Sequence, residues 1–279
     1  MRTLYVTDLD GTLLRSNERT STFTNQTINE LVQKGMLFSY ATARSYVTSV
    51  KVTRGLSAQI PLIVYNGAFI IDNATGKILL SNFFGDEGKT ILDDLISHGI
   101  YPIVYAFVNG EEKFSHFTER CTQGVRDFLS TRENDHRNRQ VTSTDALCEG
   151  EIFYLTCIGD EHKLAPFYHK YKDCCHAVFQ RDIYSGEQWL EFMPLAASKS
   201  NAARQLQSLL HCDRLVVFGD GKNDIDLFHA ADECYAVENA VDELKAASTA
   251  IIGCNDEDGV ARWLLEHAHF PDMEVSSDE

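Results

Sequence analysis

Short apolar runs alternate with amphipathic stretches at both ends of the chain. Thr3 to Thr7 has the make-up of a buried strand. Thr24 to Lys34 places Ile28, Leu31 and Val32 at helical spacing, with Gly35 as a stop signal. Met36 to Thr42 predicts a second strand, and a helix is expected from Ser45. Ile60 to Tyr65 predicts a third strand, ending at Asn66-Gly67. Ala68 to Ile71 and Lys77 to Leu80 flank Asn73 to Gly76 in a hairpin pattern. The same rhythm returns late in the chain. Lys199 to Leu210, Ile225 to Ala230, Val241 to Ala247 and Gly259 to His267 read as helices; Leu215 to Phe218, Cys234 to Val237 and Ala250 to Ile252 read as strands. Strands alternating with helices predict an α/β fold with a parallel sheet. Pro271 to Glu279 is acidic and poor in apolar residues, and is expected to fray.

The middle of the chain breaks this rhythm. Glu87 to Ser97 is a predicted helix. Pro102 to Val108 and Glu112 to Phe117 flank Asn109-Gly110, a strong hairpin signal. Gly124 to Leu129 and Glu161 to Tyr171 read as helices; Ile152 to Ile158, Ala177 to Arg181 and Trp189 to Met193 read as strands. This α+β stretch is expected to be an inserted domain over residues 83–186, with residues 1–82 and 187–279 forming the core.

Polar clusters sit where the predicted strands end. Asp8 and Asp10 follow the first strand, and Gly11-Thr12 comes directly after. Residues i and i+2 of an extended segment point to one side, so the two carboxylates can converge. Like charges held that close call for a cation, a shared proton, or both. A hard cation such as Mg²⁺ suits an all-oxygen site. After the second strand comes Ser39-Tyr40-Ala41-Thr42-Ala43-Arg44-Ser45. A hydroxyl there can bind a phosphate oxygen together with backbone N–H groups, or simply cap a helix. Ser198-Lys199-Ser200 opens a helix, where the dipole favours an anion over a cation. Lys199 in that place hints at a counter-anion. Gly219-Asp220-Gly221-Lys222-Asn223-Asp224 lies between a strand and a helix. It misses the dinucleotide fingerprint because Asp224 stands at the sixth position, and its carboxylates fit a metal site better.

Composition narrows the partners. The 279-residue chain is 44% hydrophobic, enough for a sizeable core, and no apolar run approaches the ~18 residues of a membrane span. The formal net charge of −16 disfavours nucleic acid. The one denser basic stretch, Arg132 to Arg139, is diluted by Glu133 and Asp135 and is expected to be a solvated loop. The N-terminal segment lacks the pattern of a signal peptide, and the eight cysteines show neither C-x-x-C pairing nor zinc spacing. A cytoplasmic protein is the resulting expectation, with no membrane partner and no prediction of oligomeric state.

Four such clusters in this order resemble the haloacid dehalogenase (HAD) superfamily, and specifically its Cof-like, class IIB capped phosphatases. Asp8-Leu9-Asp10-Gly11-Thr12 matches the first motif, Thr42 the second, Lys199 the third and Gly219 to Asp224 the fourth. Asn66-Gly67-Ala68 and Asn255 to Val260 resemble further signatures of the group. Ala43, Ser200 and Glu238 stand where glycine is common, and none of them removes a catalytic group. The resemblance implies a HAD-like Rossmannoid core with an inserted α+β cap, and Mg²⁺-dependent hydrolysis of a small phosphorylated metabolite. It implies Asp8 as nucleophile and Asp10 as acid and base. Thr42, Lys199, Asn223 and Gly11 would hold the phosphate, with Arg44 and Asn66 near the substrate. Asp8, Asp10, Asp220 and Asp224 would hold the metal, Asp10 through its carbonyl. Gln180 to Trp189 is a candidate for reading the leaving group. A phosphomutase or a non-catalytic phospho-ligand binding protein would carry the same core.

Overall fold

The computed structural model describes residues 1–57, 59–181 and 186–269. The tail Pro271 to Glu279 and part of Gln180 to Trp189 lie outside them. Fourteen strands run in chain order among the described residues. β1 (Thr3–Thr7), β2 (Leu37–Ala41), β3 (Pro61–Val64), β4 (Phe69–Asp72) and β5 (Ile78–Ser81) come first. β6 (Ile103–Val108), β7 (Glu111–His116), β8 (Asn138–Gln140), β9 (Glu151–Gly159), β10 (His176–Arg181) and β11 (Gln188–Met193) lie in the insertion. β12 (Arg214–Gly219), β13 (Glu233–Val237) and β14 (Ala250–Ile252) close the series. The chain divides into two compact units, residues 1–81 with 198–279, and residues 82–197.

The first unit is built on an eight-stranded sheet in the order β14-β13-β12-β1-β2-β3-β4-β5. From β14 to β3 every pairing is parallel; β4 and β5 return as the predicted hairpin. β1 lies in the middle and is buried along its whole length, as a strand covered on both faces must be. Leu4 and Val6 are fully enclosed, each contributing about 1.5–3 kcal/mol by leaving water. Register then places the chemistry. Thr7 pairs with Phe218 on one side and with Tyr40 on the other. The residues that follow those three, Asp8, Gly219-Asp220 and Ala41-Thr42, therefore leave the sheet along one edge. That edge is the carboxyl end of parallel strands, where open α/β sheets bind ligands.

The second unit is a six-stranded sheet in the order β10-β11-β9-β6-β7-β8, antiparallel except for the β7–β8 pair. The helix Asp86–Ser97 buries Ile91, Leu92 and Leu95, and the helix Glu161–Tyr171 buries Leu164, Phe167 and Tyr171. These residues share one apolar cluster with Leu155, Leu190 and Phe192 from the sheet. The unit runs to Ala197, past the expected boundary at residue 186. The reason is β11, which pairs with β9 and β10 rather than with the first sheet.

Arg132 to Arg139 is not the solvated loop that its charge suggested. Arg137 is buried, and its guanidinium donates to Asp135 Oδ1 at 2.9 Å, to Asp135 Oδ2 at 2.6 Å and to Glu112 at 2.7 Å. The Arg137 side-chain bonds to Asp135, ahead of opposing burial, hold the Asp135 carboxyl down to about 2. Asn138 and Arg139 continue into β8. All eight cysteines are free thiols, and no helix among the described residues is long and apolar enough to cross a membrane.

Candidate active site

Asp8 leaves β1 with its backbone N–H donating to Phe218 O at 2.9 Å, so it starts from the β12 side of the sheet edge. Its carboxylate is buried. Lys199 Nζ, also buried, donates to Asp8 Oδ1 at 2.5 Å and to Asp224 Oδ1 at 2.8 Å. The cation that the helix dipole left unexplained thus has two carboxylate partners. Lys199 reaches them because Ser198 caps its helix, accepting from Asn201 N at 3.1 Å. The turn at Gly67 helps: Gly67 has φ +95°, and a Cβ there would lie 2.3 Å from Ser198 O. Only glycine lets the two segments approach so closely.

Asp224 is fully buried at the start of the helix Ile225–Ala230. Its second oxygen accepts from Asp220 N at 3.2 Å and Gly221 N at 3.1 Å. Asp220 accepts from the Thr12 hydroxyl at 2.9 Å, tying the turn after β1 to the turn after β12. One oxygen each from Asp8, Asp220 and Asp224 lies within 4.8 Å of the others. Three carboxylates face one ammonium here, and the electrostatics show the imbalance. Burial, with Asp224 and Asp220 adding to it, raises Asp8 well above the usual carboxylate range, and Lys199 only partly offsets this. Burial followed by Asp224 raises Asp220 to about 6. Burial works to lower the Lys199 ammonium, but Asp224 and Asp8 more than reverse it and raise its pKa. Such a pocket is short of positive charge, and its all-oxygen donors fit a hard divalent cation.

Asp10 points elsewhere. Arg44 grips it through two bonds, Nε to Oδ2 at 2.8 Å and Nη2 to Oδ1 at 2.6 Å, and also reaches Glu18 at 3.0 Å. The bond to Asp10, ahead of burial in the opposite sense, raises the Arg44 pKa. Thr42 is buried, and its hydroxyl oxygen accepts from Arg44 N at 3.1 Å, leaving the O–H to donate. Its backbone N–H donates to Ile63 O and its carbonyl accepts from Asn66 N, so Asn66 is buried beside it. Ser45 is a helix cap, accepting from Thr48 N at 3.2 Å. Asn223 is exposed in the turn Lys222–Asp224. Gly11 takes φ +77°, and a Cβ there would lie 2.4 Å from Asp220 Oδ2.

Sequence reasoning gave no role to a set of side chains that hold the turn after β1 in place. Asn239 Nδ2 donates to Gly11 O, and Asn255 Nδ2 donates to Leu14 O. Arg15 pairs with Asp258, Thr24 donates to Asp258 at 3.0 Å, and Ser16 donates to Asp256. Asn255 falls in a resembling signature and Asn239 follows Glu238, where glycine is common; what the sequence hides is their partner more than 220 positions away.

The sequence and the fold are shared with known proteins. The haloacid dehalogenase-like hydrolase family matches residues 5–264, so the chain belongs to that family. A 5-amino-6-(5-phospho-D-ribitylamino)uracil phosphatase of Bacillus subtilis is 29% identical over 282 residues, covering 92% of this chain and 95% of its own. A solved Thermotoga maritima structure superposes with a TM-score of 0.77 at 23% identity, covering 98% of this chain and all of its own. A HAD subclass IIB sugar phosphatase superposes with a TM-score of 0.73 at 17% identity, covering 95% and 98%. Within the family the chain is of the Cof-like class, and it is a phosphoric monoester hydrolase.

Proposed function

We propose that the protein hydrolyses small phosphate monoesters with Mg²⁺ through an aspartyl-phosphate on Asp8. The observation that carries this reading is the buried Asp8 carboxylate, bonded to Lys199 and grouped with Asp220 and Asp224. Those three aspartates, with the Asp10 carbonyl, would hold the cation, which supplies positive charge to the phosphoryl oxygens and keeps Asp8 ionised. An Asp8 oxygen attacks phosphorus in line, the bond from phosphorus to the leaving oxygen breaks, and Asp10 delivers a proton to that oxygen. Water then attacks phosphorus, Asp10 takes its proton, and Asp8 is released with inorganic phosphate. Proton transfer of this kind typically contributes ~10²–10⁴-fold.

Lys199, the Thr42 hydroxyl and the Gly11 N–H neutralise charge on the transferring group. Asn223 orients it from the turn after β12. Arg44 and Asn66 stand near the substrate. Because Arg44 occupies both Asp10 oxygens, one of them must be given up when the leaving group needs its proton. Residues 82–197 are the proposed cap, reading the leaving group. The name of the Bacillus subtilis relative makes a phosphorylated ribityl compound the first substrate to try, followed by sugar and cofactor phosphates.

The test is phosphate release over that panel with and without Mg²⁺. Wild type is expected to be active only with the metal. Asp8→Asn is expected to keep its fold and lose turnover. Near-normal release by Asp8→Asn would overturn the nucleophile assignment.

A further inference from the structure

Gly11 sits in the turn that carries Asp10 and Thr12, at φ +77°. Glycine visits both signs of φ at low cost, so nothing in its own covalent structure fixes the peptide planes on either side. Yet the turn must hold still: a displacement of about 1 Å can cost ~10²-fold in rate. The side of Gly11 where a side chain would go is filled by the Asp220 carboxylate. The Gly11 carbonyl meets Asn239, whose Nδ2 donates to it at 2.7 Å. Asn239 is exposed, so burial does not hold its amide. A second bond does. Asn239 Oδ1 accepts from Asn255 N at 3.1 Å. Asn255 then returns to the same turn, its buried Nδ2 donating to Leu14 O at 2.9 Å.

The result is a closed relay, from Gly11 through Asn239 and Asn255 to Leu14. Its chemistry demands an amide at position 239. The Gly11 carbonyl can only accept and the Asn255 N–H can only donate, so the side chain between them must do one of each. The loop bearing Asn239 is anchored close to the acidic group, since Val241 N donates to Asp220 O at 2.9 Å. We infer that Asn239 and Asn255 are positioning residues that fix the Asp10-Gly11-Thr12 turn against Asp220. The inference rests on the phosphatase reading for its catalytic consequence, and on geometry alone for the relay.

Asn239→Asp in the full-length protein keeps the shape of the side chain and the acceptor for Asn255 N–H, and removes the donor to Gly11 O. Its kcat is expected to fall roughly 10–100-fold, with KM and the thermal midpoint little changed. A merely structural loss would lower the midpoint and leave the kcat of the folded fraction intact. Asn255→Asp removes the bond to Leu14 O and should act in the same direction. Because both belong to one relay, the double variant should lose no more than the worse single variant. Independent losses that multiply, or an unchanged kcat in Asn239→Asp, would overturn the inference.

A readout without substrate or metal keeps the two readings apart. Loss of the bond should move the Gly11 carbonyl-carbon shift and the shift of the Thr12 amide, which shares that peptide, while shifts along β12 stay put. If wild type releases phosphate from nothing in the panel, the functional reading fails, and those shifts still judge the relay. If they do not move in Asn239→Asp, the relay does not hold Gly11.

Discussion

Lys199 in the first unit and Arg137 in the second are both buried cations held between carboxylates, and the two clusters behave in opposite ways. Arg137 spreads its charge over a planar fork, and Asp135 and Glu112 fit it with several bonds. The outcome is a carboxyl at Asp135 pulled down to about 2. Lys199 is a point charge facing a set of acids it cannot neutralise, and Asp220 beside it is pushed up to about 6. The first arrangement is complete in itself. The second sets three carboxylates against one ammonium, two positive charges short, which suits a divalent cation.

The most severe way to break this comparison is Lys199→Met. It leaves Asp8 and Asp224 buried without their counter-charge, a loss of about 3–5 kcal/mol for a buried pair deprived of one partner. Urea unfolding should show that loss, and turnover should fall by ~10²–10³-fold, the scale for removing one preorganised charge-stabilising donor. Wild-type turnover in this variant would remove Lys199 from the chemistry. Arg137→Leu should cost less, about 1.5–3 kcal/mol for lost bonds to charged groups. Its effect should be confined to stability, with hydrolysis of a small aryl phosphate little changed. Equal damage to both properties would contradict the division of labour drawn above.

Acid sharpens the contrast, because the two clusters carry pKa shifts of opposite sign. Asp135 has a folded pKa of about 2, below its unfolded value of about 3.9. Its stabilisation is present above pH ~4 and is lost as pH falls towards ~2. Asp220 has a folded pKa of about 6, above its unfolded value. Its contribution is greatest while it is protonated and is withdrawn as pH rises from ~4 to ~6. Thermal melts should therefore show Mg²⁺ raising the midpoint more at pH 7 than at pH 5. An equal shift at both values would argue against binding at these carboxylates. The smallest expected effect is that of Thr12→Val, which removes the hydroxyl bond to Asp220. A cost of about 1 kcal/mol and roughly tenfold weaker Mg²⁺ binding, measured by activity titration and calorimetry, are expected.

The first cluster was legible in the sequence and the second was not, for a physical reason. Asp8, Asp220 and Asp224 follow directly on apolar strands, so local pattern puts them at strand ends, and parallel pairing brings those ends together. Arg137 owes its burial to Glu112, across a strand pairing that no local pattern specifies. The short strand β8 was missed with it. β11 was recognised as a strand, but only its partners decide which sheet receives it, and so the boundary after residue 186 came out too early. The Asn239–Asn255 relay belongs with these cases, since each end binds a carbonyl that looks like any other in the sequence.

The position of β1 also sets an order of events during synthesis. Asp8 is made long before its strand neighbour β12, its partner Lys199 and the hooks at Asn255 and Asp258. At about 5–20 residues per second, the ribosome takes roughly 10–50 s to deliver them. The insertion is contiguous and can fold within that interval, while one edge of β1 still waits for its partner. The nascent chain therefore carries Asp8 well before Lys199 and β12 can complete the proposed site around it. A stall or premature stop after the insertion would leave Asp8 without Lys199 and β1 without β12.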